Sequence, residues 1–222
     1  MVAVSGGIDS MVLLDVLAKV SGVGLIVAHF DHGIRADSAE DEDFVCSRAY
    51  EYGLVFVSKR EELGADASEA LARTRRYEFL RSVQSEYDAQ AIITAHHRDD
   101  EIETAAINIL RGTGRLGLSA IRSSDILRPF LAYTRRDIEE YARSQHIQWR
   151  EDPSNTDEKY LRNRIRARMK EADPAIKQDF YTHIQEVDSL NTKIAPLLEE
   201  QIEGRDLITG VMRNWLVSLP HV

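Results

Sequence analysis

Short apolar segments alternate with longer amphipathic segments through the first 110 residues, and this alternation constrains the fold more than any other feature of the chain. The predicted strands are residues 2–4, 24–30, 54–58 and 91–95, and the predicted helices are residues 10–20, 39–52, 68–86 and 99–111. Repeated strand–helix–strand order favours parallel pairing with helices on both faces. The sequence therefore predicts an α/β fold with a doubly wound parallel sheet, in which ligands bind beyond the carboxyl ends of the strands.

The pattern changes after residue 117. A helix is predicted for residues 134–145 with Thr134 as its N-cap, and Asp152-Pro153-Ser154-Asn155 predicts a turn. The remaining chain has a helical pattern in which Pro174 and Pro196 start or break helices. We therefore expect a main domain over residues 1–172 and a small C-terminal helical subdomain over residues 173–222.

The charge of the chain is acidic overall and basic in two places. The 222 residues contain 28 Lys and Arg against 37 Asp and Glu, so the formal net charge is −9 and the whole surface does not attract polyanions. Residues 159–170 contain six bases and no acid, and residues 73–81 contain four arginines and one glutamate. These patches suit an anionic partner that docks locally, or they are the solvated faces of helices.

Other features of the composition exclude several classes. The single cysteine, Cys46, cannot form an intrachain disulfide or a CxxC pair. No apolar run approaches the roughly 20 residues that a membrane span needs, and the first residues do not resemble a signal peptide. We expect a cytoplasmic, soluble protein with no membrane partner. The sequence leaves the oligomeric state open, a homodimer included.

The strongest local signal is the string Ser5-Gly6-Gly7-Ile8-Asp9-Ser10 between the first predicted strand and helix. Two glycines let backbone N–H groups surround an anion, and the helix N-terminus adds partial positive charge. The serine hydroxyls can donate to phosphate oxygens, and Asp9 suits a Mg²⁺ ion that bridges phosphates. The string lacks the lysine and spacing of a Walker A loop. It predicts pyrophosphate binding, against the alternative of a glycine-rich turn in which Ser10 caps the helix.

Two further strings follow predicted strands. The spacing of His29-Phe30-Asp31-His32-Gly33 is weak for zinc, and a backbone site for a nucleotide base is an equally good interpretation. In residues 94–104, Asp100 and Glu103 share one helical face near the start of a helix. This pair can hold Mg²⁺ or bind an ammonium group. The alternative is an acidic helix start that complements the helix dipole.

Arginines provide the candidate groups for phosphate. Arg73, Arg75 and Arg76 on the third predicted helix, and Arg111 at the end of the fourth, can each neutralise charge that develops on a phosphate during nucleotidyl transfer. In the run Arg162-Asn163-Arg164-Ile165-Arg166-Ala167-Arg168, a strand would place all four arginines on one face. A helix would divide them into the stripes 162/166 and 164/168. Either geometry makes a candidate patch for a phosphate backbone, whereas each single arginine alone is more simply a solvated helix residue.

Together these strings resemble the tRNA(Ile)-lysidine synthetase family, a branch of the PP-loop (N-type) ATP pyrophosphatases. The resemblance covers about residues 2–170. Besides the loop at residues 5–10, it rests on residues 29–35 and 38–42, Arg76-Tyr77-Glu78-Phe79-Leu80, residues 96–104, Leu110-Arg111-Gly112-Thr113-Gly114, residues 151–155 and Arg162-Asn163-Arg164-Ile165-Arg166. The loop alone would indicate only the superfamily, and the later strings in this order are specific to lysidine synthetases.

The resemblance implies a two-step ligation that uses ATP and Mg²⁺. ATP would adenylate the C2 oxygen of the wobble cytidine, position 34, in the isoleucine tRNA with a CAU anticodon, and release pyrophosphate. The ε-amine of free L-lysine would then displace AMP and form lysidine, which changes codon recognition from AUG to AUA.

The resemblance also implies the roles of individual residues. The catalytic residues would be Asp9, Arg76, Asp100 and Glu103, with Asp9 and Asp100 as ligands of Mg²⁺. The ATP-binding residues would be Ser5, Gly6, Gly7, Ile8, Asp9, Ser10, His29 and Arg111. The tRNA-binding residues would be Arg162, Asn163, Arg164, Arg166 and Arg168.

The chain departs from the family pattern in three places. The loop stands at the very start, the C-terminal part is short, and Glu101 stands where the family often has glutamine, so the chain fits a compact or a truncated form. The single cysteine opposes the neighbouring tRNA 2-thiolation enzymes, whose sulfur chemistry needs paired cysteines. Two alternatives remain: a PP-loop enzyme that acts on another substrate, and a non-catalytic module that binds ATP or RNA.

Overall fold

The computed structural model describes residues 1–33, 38–64, 67–119, 121, 125–151 and 161–202. The strands are β1 (Val2–Ala3), β2 (Ile26–Asp31), β3 (Val55–Arg60), β4 (Ile92–Ile93) and β5 (Ile126–Leu127). The helices are α1 (Ile8–Ala18), α2 (Ser38–Glu51), α3 (Glu69–Glu86), α4 (Arg98–Leu110), α5 (Arg115–Leu118), α6 (Arg135–Ser144), α7 (Leu161–Glu171) and α8 (Pro174–Ile202), with a 3-10 helix at Pro129–Ala132. None of the helices described is both long enough and apolar enough to cross a membrane.

The five strands form one sheet in the order β3–β2–β1–β4–β5, and every neighbouring pair is parallel. This confirms the predicted parallel α/β fold. The chain adds β2 and β3 on one side of β1 and then places β4 and β5 on the other side. The carboxyl ends of β1 and β4 therefore flank the point where the strand order reverses, which is where such sheets bind ligands.

The residues of β2 divide between two apolar cores because successive side chains of a strand point to opposite faces. Val27 packs in a core with α1, α2 and α6. Ala28 and Phe30 pack in a second core with Phe79 and Leu80 of α3. Helices thus cover both faces of the sheet, which confirms the doubly wound arrangement.

The long helix α8 is attached to the sheet domain through α4. Tyr181 and Ile184 of α8 pack with Ile102 and Ala105 of α4, and the Tyr181 hydroxyl donates to the carbonyl of Leu131 at 2.8 Å. The helical character of the C-terminal part is therefore confirmed over Pro174–Ile202. The domain boundary at residue 172 stays a prediction.

Local details differ from the sequence-based expectation at three places. Helix α1 begins at Ile8 because Gly7 takes the N-cap position, so Ser10 lies inside the helix and does not cap it. Residues 128–130, interpreted as a turn or short extended segment, lead into a 3-10 helix that starts with Pro129. Strand β5 has only two residues and was not predicted. The predicted turn at residues 152–155 lies outside the described residues.

Candidate active site

A cavity of about 730 Å³ opens at the carboxyl edge of the sheet. The segments that follow β1, β2 and β4 form one part of its wall, and residues of α2, α3, α6 and α7 and residues 149–151 complete it. The residues that line the cavity include Ser5, Asp9, His29, Arg76, His96, Asp100 and Arg166. The structure therefore brings residues from distant parts of the predicted site to one place.

Gly6 makes the tight turn in the loop that follows β1. Its φ of +91° lies in the region that favours glycine, and a Cβ at this position would stand 3.5 Å from Cγ2 of Val45. The backbone N–H of Arg150 donates to the Gly6 carbonyl at 3.0 Å. The shape of the loop is thus fixed by α2 and by a segment far along the chain.

The two serines of this loop connect it to the start of α1. The Ser5 N–H donates to Ser10 Oγ at 3.1 Å, the two hydroxyl oxygens are 3.2 Å apart, and Ser10 Oγ donates to the Gly7 carbonyl at 2.9 Å. Because Gly7 is the N-cap, the N–H groups of Ile8, Asp9 and Ser10 have no acceptor within the helix. These donors lie at the positive end of the helix dipole, so the loop can bind phosphate.

Asp9 lies in the first turn of α1 and lines the cavity. Its Oδ2 accepts a hydrogen bond from Arg135 Nη1 at 2.6 Å, and its Oδ1 lies 3.7 Å from His97 Nε2. Within the described part of the chain, Oδ1 is buried and accepts no hydrogen bond. Burial raises the pKa of Asp9, although His97 and Arg135 oppose that shift. A buried carboxylate oxygen without a donor is a natural ligand for a cation.

Asp100 reaches the same place from the first turn of α4. Its Oδ2 accepts the backbone N–H of His97 at 3.0 Å and lies 3.4 Å from His97 Nε2. Burial acts to raise the pKa of Asp100, but His97, His96 and the backbone hydrogen bond together hold it below its usual value. The imidazole of His97 therefore lies between the carboxylates of Asp9 and Asp100.

The oxygen ligands at this place suit Mg²⁺, although they are few. Among the described residues, no group of three or more His, Cys, Asp or Glu side chains forms a metal site. Mg²⁺ is usually held by one or two carboxylates together with substrate phosphates and water, so it does not require such a group. The free Oδ1 of Asp9 and the neighbouring carboxylate of Asp100 fit that pattern beside a phosphate-binding loop.

Glu103 lies one turn beyond Asp100 on α4, and its side chain is only 4% exposed. Arg166 of α7 donates to both of its carboxylate oxygens, at 2.8 Å and 3.0 Å. Arg166 also lies 3.5 Å from Asp100, and Arg162 lies 3.8 Å from Glu103. Burial raises the pKa of Glu103, and the hydrogen bonds from Arg166 oppose the shift. The charge of Glu103 is thus balanced within the protein.

The arginine-rich run is a helix, which settles the geometry that the sequence left open. Arg162 and Arg166 form the stripe that contacts α4, where Arg162 Nη2 also donates to Thr104 Oγ1 at 2.8 Å. Arg164 and Arg168 form the other stripe, and both are exposed. Of the predicted tRNA-binding residues, Arg162 and Arg166 therefore lie beside carboxylates of α4, whereas Arg164 and Arg168 lie on the surface. Asn163 lines the cavity.

Arg76 lines the cavity from α3. Its guanidinium carbon lies 5.5 Å from the ring centre of Tyr77, and no described carboxylate lies within 4 Å of it. Burial lowers the pKa of Arg76, and the positive charges of Arg73 and Arg162 act in the same direction. A half-buried cation without a counter-charge favours an anionic ligand in the cavity.

Two predicted ATP-binding residues are placed differently. His29 is buried and lines the cavity, and its Nδ1 donates to the carbonyl of Val4 at 2.8 Å. Arg111 is the exposed C-cap residue of α4. At 1.5 Å per residue it lies about 16 Å along the helix axis from Asp100. The structure brings His29 to the cavity, whereas Arg111 is not among the described residues that line it.

Sequence reasoning gave no role to Arg135 or to His97. Arg135 follows the N-cap of α6, donates its backbone N–H to Asp99 at 2.8 Å and pairs with Asp9. The capping pattern at Thr134 signals the helix start, but no local pattern connects residue 135 with residue 9. His97 is part of a string that the sequence singled out. Its position beside Asp9 depends on the pairing of β1 with β4, which the sequence does not specify.

The sheet, the phosphate-binding loop and the carboxylates at its edge define a PP-loop domain. The family described as the PP-loop domain matches residues 1–172, and the chain belongs to this family. The chain is 35% identical over 218 residues to the tRNA(Ile)-lysidine synthase of Thermotoga maritima, covering 91% of this chain and 53% of that protein. It is 42% identical over 178 residues to the tRNA(Ile)-lysidine synthase of Geobacter sulfurreducens, covering 74% and 38%.

These relatives confirm the resemblance to lysidine synthetases that the sequence strings indicate. The chain spans about half the length of the curated relatives it matches, or less. Among solved structures, the U34-tRNA thiolase NcsA from Methanococcus maripaludis matches with a TM-score of 0.68 at 16% identity, covering 84% of this chain and 70% of that chain. This similarity supports the fold.

Proposed function

We propose that this chain joins L-lysine to C2 of the wobble cytidine, position 34, of the isoleucine tRNA with a CAU anticodon. The reaction consumes ATP, forms lysidine and changes codon recognition from AUG to AUA. One observation carries the proposal: a single cavity combines a phosphate-binding loop, the carboxylates of Asp9 and Asp100, and the uncompensated cation Arg76. The curated relatives that carry the name tRNA(Ile)-lysidine synthase support the choice of substrate. We expect the reaction to take place in the cytoplasm.

In the first step, the C2 oxygen of cytidine attacks the α-phosphorus of ATP and the bond to pyrophosphate breaks. Ser5, Ser10 and the N–H groups at the start of α1 bind the pyrophosphate. Asp9 and Asp100 would hold Mg²⁺, which would supply positive charge to stabilise the phosphates. Arg76 stabilises the negative charge that develops on the phosphates.

In the second step, the ε-amine of lysine attacks C2, and AMP leaves with the former C2 oxygen. Asp100 and Glu103 bind the ammonium group before it loses a proton and becomes a nucleophile. Because burial raises the pKa of Glu103, this carboxylate is suited to take up that proton. Lysine has to share or replace the contact between Glu103 and Arg166.

The exposed stripe of α7 is the proposed contact with the tRNA backbone. Arg164 and Arg168 are exposed there, while Arg162, Asn163 and Arg166 lie closer to the cavity. Contacts to phosphate give salt-dependent affinity and position the RNA, but they do not read its sequence. The net charge of −9 limits binding elsewhere on the surface.

The test measures incorporation of radiolabelled L-lysine into a transcript of the isoleucine tRNA with a CAU anticodon. We expect incorporation that requires ATP, releases AMP and pyrophosphate, and disappears when the wobble cytidine is replaced by uridine. Asp100→Asn is the matched inactive variant. Cleavage of ATP to AMP and pyrophosphate with a different acceptor only, and no lysine incorporation, would overturn the substrate assignment while leaving the PP-loop chemistry in place.

A further inference from the structure

Three arginines of helix α3 differ in their carboxylate partners among the described residues. Arg75 pairs with Glu61 at 3.4 Å and with Glu78 at 3.0 Å. In the part of the chain that the structure describes, neither Arg73 nor Arg76 has a carboxylate oxygen within 4 Å. Arg73 and Arg75 are both exposed, whereas Arg76 is half-buried and lines the cavity. The lack of a described carboxylate beside Arg73 and Arg76 marks one face of α3 as a candidate anion site.

Tyr77 brings the cations of this face together. The guanidinium carbons of Arg73 and Arg76 lie 4.9 Å and 5.5 Å from the centre of its ring. Arg128, which follows β5, is a third cation beside the same side chain. Burial lowers the pKa of Arg128, the tyrosine opposes this shift, and the charge of Arg73 adds to it. We call Arg73, Tyr77 and Arg128 the basic rim.

The charge of the basic rim extends into the cavity. Burial lowers the pKa of His96, and the charges of Arg76, Arg128 and Arg73 act in the same direction against the opposing charge of Asp100. His96 lines the cavity and its Nδ1 lies 2.8 Å from Thr94 Oγ1. Arg76 also lines the cavity, and its guanidinium carbon lies 5.5 Å from the ring centre of Tyr77, so the basic rim adjoins the cavity through Arg76.

We propose that the basic rim binds a backbone phosphate next to the nucleotide whose base enters the cavity. The inference rests on the proposed function and names a contact for that substrate. A base that leaves a loop to react carries its own phosphates to the mouth of the cavity, and exposed arginines bind phosphate oxygens with paired N–H donors. On a protein with a net charge of −9, such a contact needs a local group of cations. A second oxyanion, the α-carboxylate of free lysine, has the same chemistry and is distinguished by the experiment.

The experiment compares Arg73→Ala with Arg75→Ala, because both arginines are exposed on the same helix and, of the two, only Arg75 has a carboxylate partner among the residues that the structure describes. The probe is the CAU-anticodon isoleucine tRNA, with dissociation constants measured between 50 and about 200 mM salt. For Arg73→Ala we expect binding about tenfold weaker near 0.1 M salt and a salt slope lower by about one. Arg75→Ala should match the wild type, and Arg73→Lys should restore the slope.

Three outcomes would overturn the inference. Equal effects of Arg73→Ala and Arg75→Ala would show that the unpaired arginine has no special contact. An increased KM for lysine with unchanged tRNA binding would assign the rim to the carboxylate of lysine. If Arg73→Ala binds tRNA normally but the variant protein has a lowered melting temperature, the basic rim stabilises the fold and does not bind phosphate. Failure of the wild-type chain to incorporate lysine would overturn the proposed function instead, and tRNA binding by the same variants still decides whether the rim contacts phosphate.

Discussion

The two sides of the cavity carry buried charge in opposite ways. On the side formed by α4 and α7, Glu103 and Arg166 are joined by two hydrogen bonds, and Arg162 lies beside them. On the side formed by α3, Arg76 and Arg73 have no described carboxylate within 4 Å. The first side is balanced without a ligand, so a cationic substrate must exchange partners there. On the second side, an anion that binds would pair with these arginines without breaking an ion pair that the structure describes.

The largest expected effect is on the balanced side. Asp100→Asn and Glu103→Gln each remove a negative charge from the place where the proposed function puts the reacting amine, and we expect lysidine formation to fall by about 10³-fold or more. Lysine incorporation into tRNA measures the loss, and circular dichroism verifies the fold. The exposed Glu140→Gln is the matched control, because Glu140 pairs only with Arg136 on α6 among the described residues. Turnover near wild type in either variant would remove that carboxylate from the mechanism.

The next effect separates the two stripes of α7. Replacing Arg164 and Arg168 together with alanine should reduce the salt slope of tRNA binding by about two and weaken binding at least tenfold near 0.1 M salt. The physical reason is the loss of two exposed phosphate contacts. Filter binding at several salt concentrations measures the slope, with Arg136→Ala as a surface control. An unchanged slope would assign these arginines to the structure of the helix.

The stability of two arginine variants should change in opposite directions. Arg166→Gln leaves Glu103 buried without its cation, and because Arg166 is about one-third exposed we expect a discounted loss of about 1–2 kcal/mol in the free energy of unfolding. Arg76→Gln removes an uncompensated charge, so the free energy of unfolding should stay constant or rise by up to about 1 kcal/mol. Urea denaturation measures both. A loss of stability of the same size in both variants would contradict the contrast between the two sides.

The smallest effect concerns pH. Burial already raises the pKa of Glu103, and Arg166 is the main group that opposes the shift. Without that cation the carboxylate binds its proton more tightly, so Arg166→Gln should move the acidic limb of the rate profile to higher pH. The normalised pH dependence of lysine incorporation tests this. If the acidic limb of the Arg166→Gln profile stays at the same pH as in the wild type, the ionisation of Glu103 does not limit the rate.

Much of the fold could be predicted because apolar residues recur with a clear spacing in its long helices and strands. The helices α2, α3 and α4 and the strands β2 and β3 lie within a few residues of their predicted positions. Strand β5 has two residues, which is too short for a period to appear. The run at Arg162–168 alternates arginine with other residues, so it satisfied a strand and a helix equally, and only its packing against α4 decides between them.

The site was predictable where its residues lie near the carboxyl ends of strands, either within the strand or in the segment that follows it. The loop at residues 5–10, His29 and Asp100 all reach the cavity because the carboxyl ends of parallel strands meet at one edge. Arg135 pairs with Asp9 across more than a hundred residues, a contact that depends on how α6 packs and that no local string encodes. Arg111 lies near a conspicuous glycine pair, but the length of α4 carries it away from the cavity.

The central position of β1 has a consequence for folding during synthesis. Val2 pairs with Val27 on one side and with Ile93 on the other, and the loop after β1 is held by the N–H of Arg150. These contacts join residues that are distant in the chain, and such high contact order slows folding. The nucleotide site should therefore assemble last, after residue 150 has left the ribosome, although its loop is synthesised first. Nascent chains arrested before that residue should lack the ATP binding that chains arrested beyond it acquire.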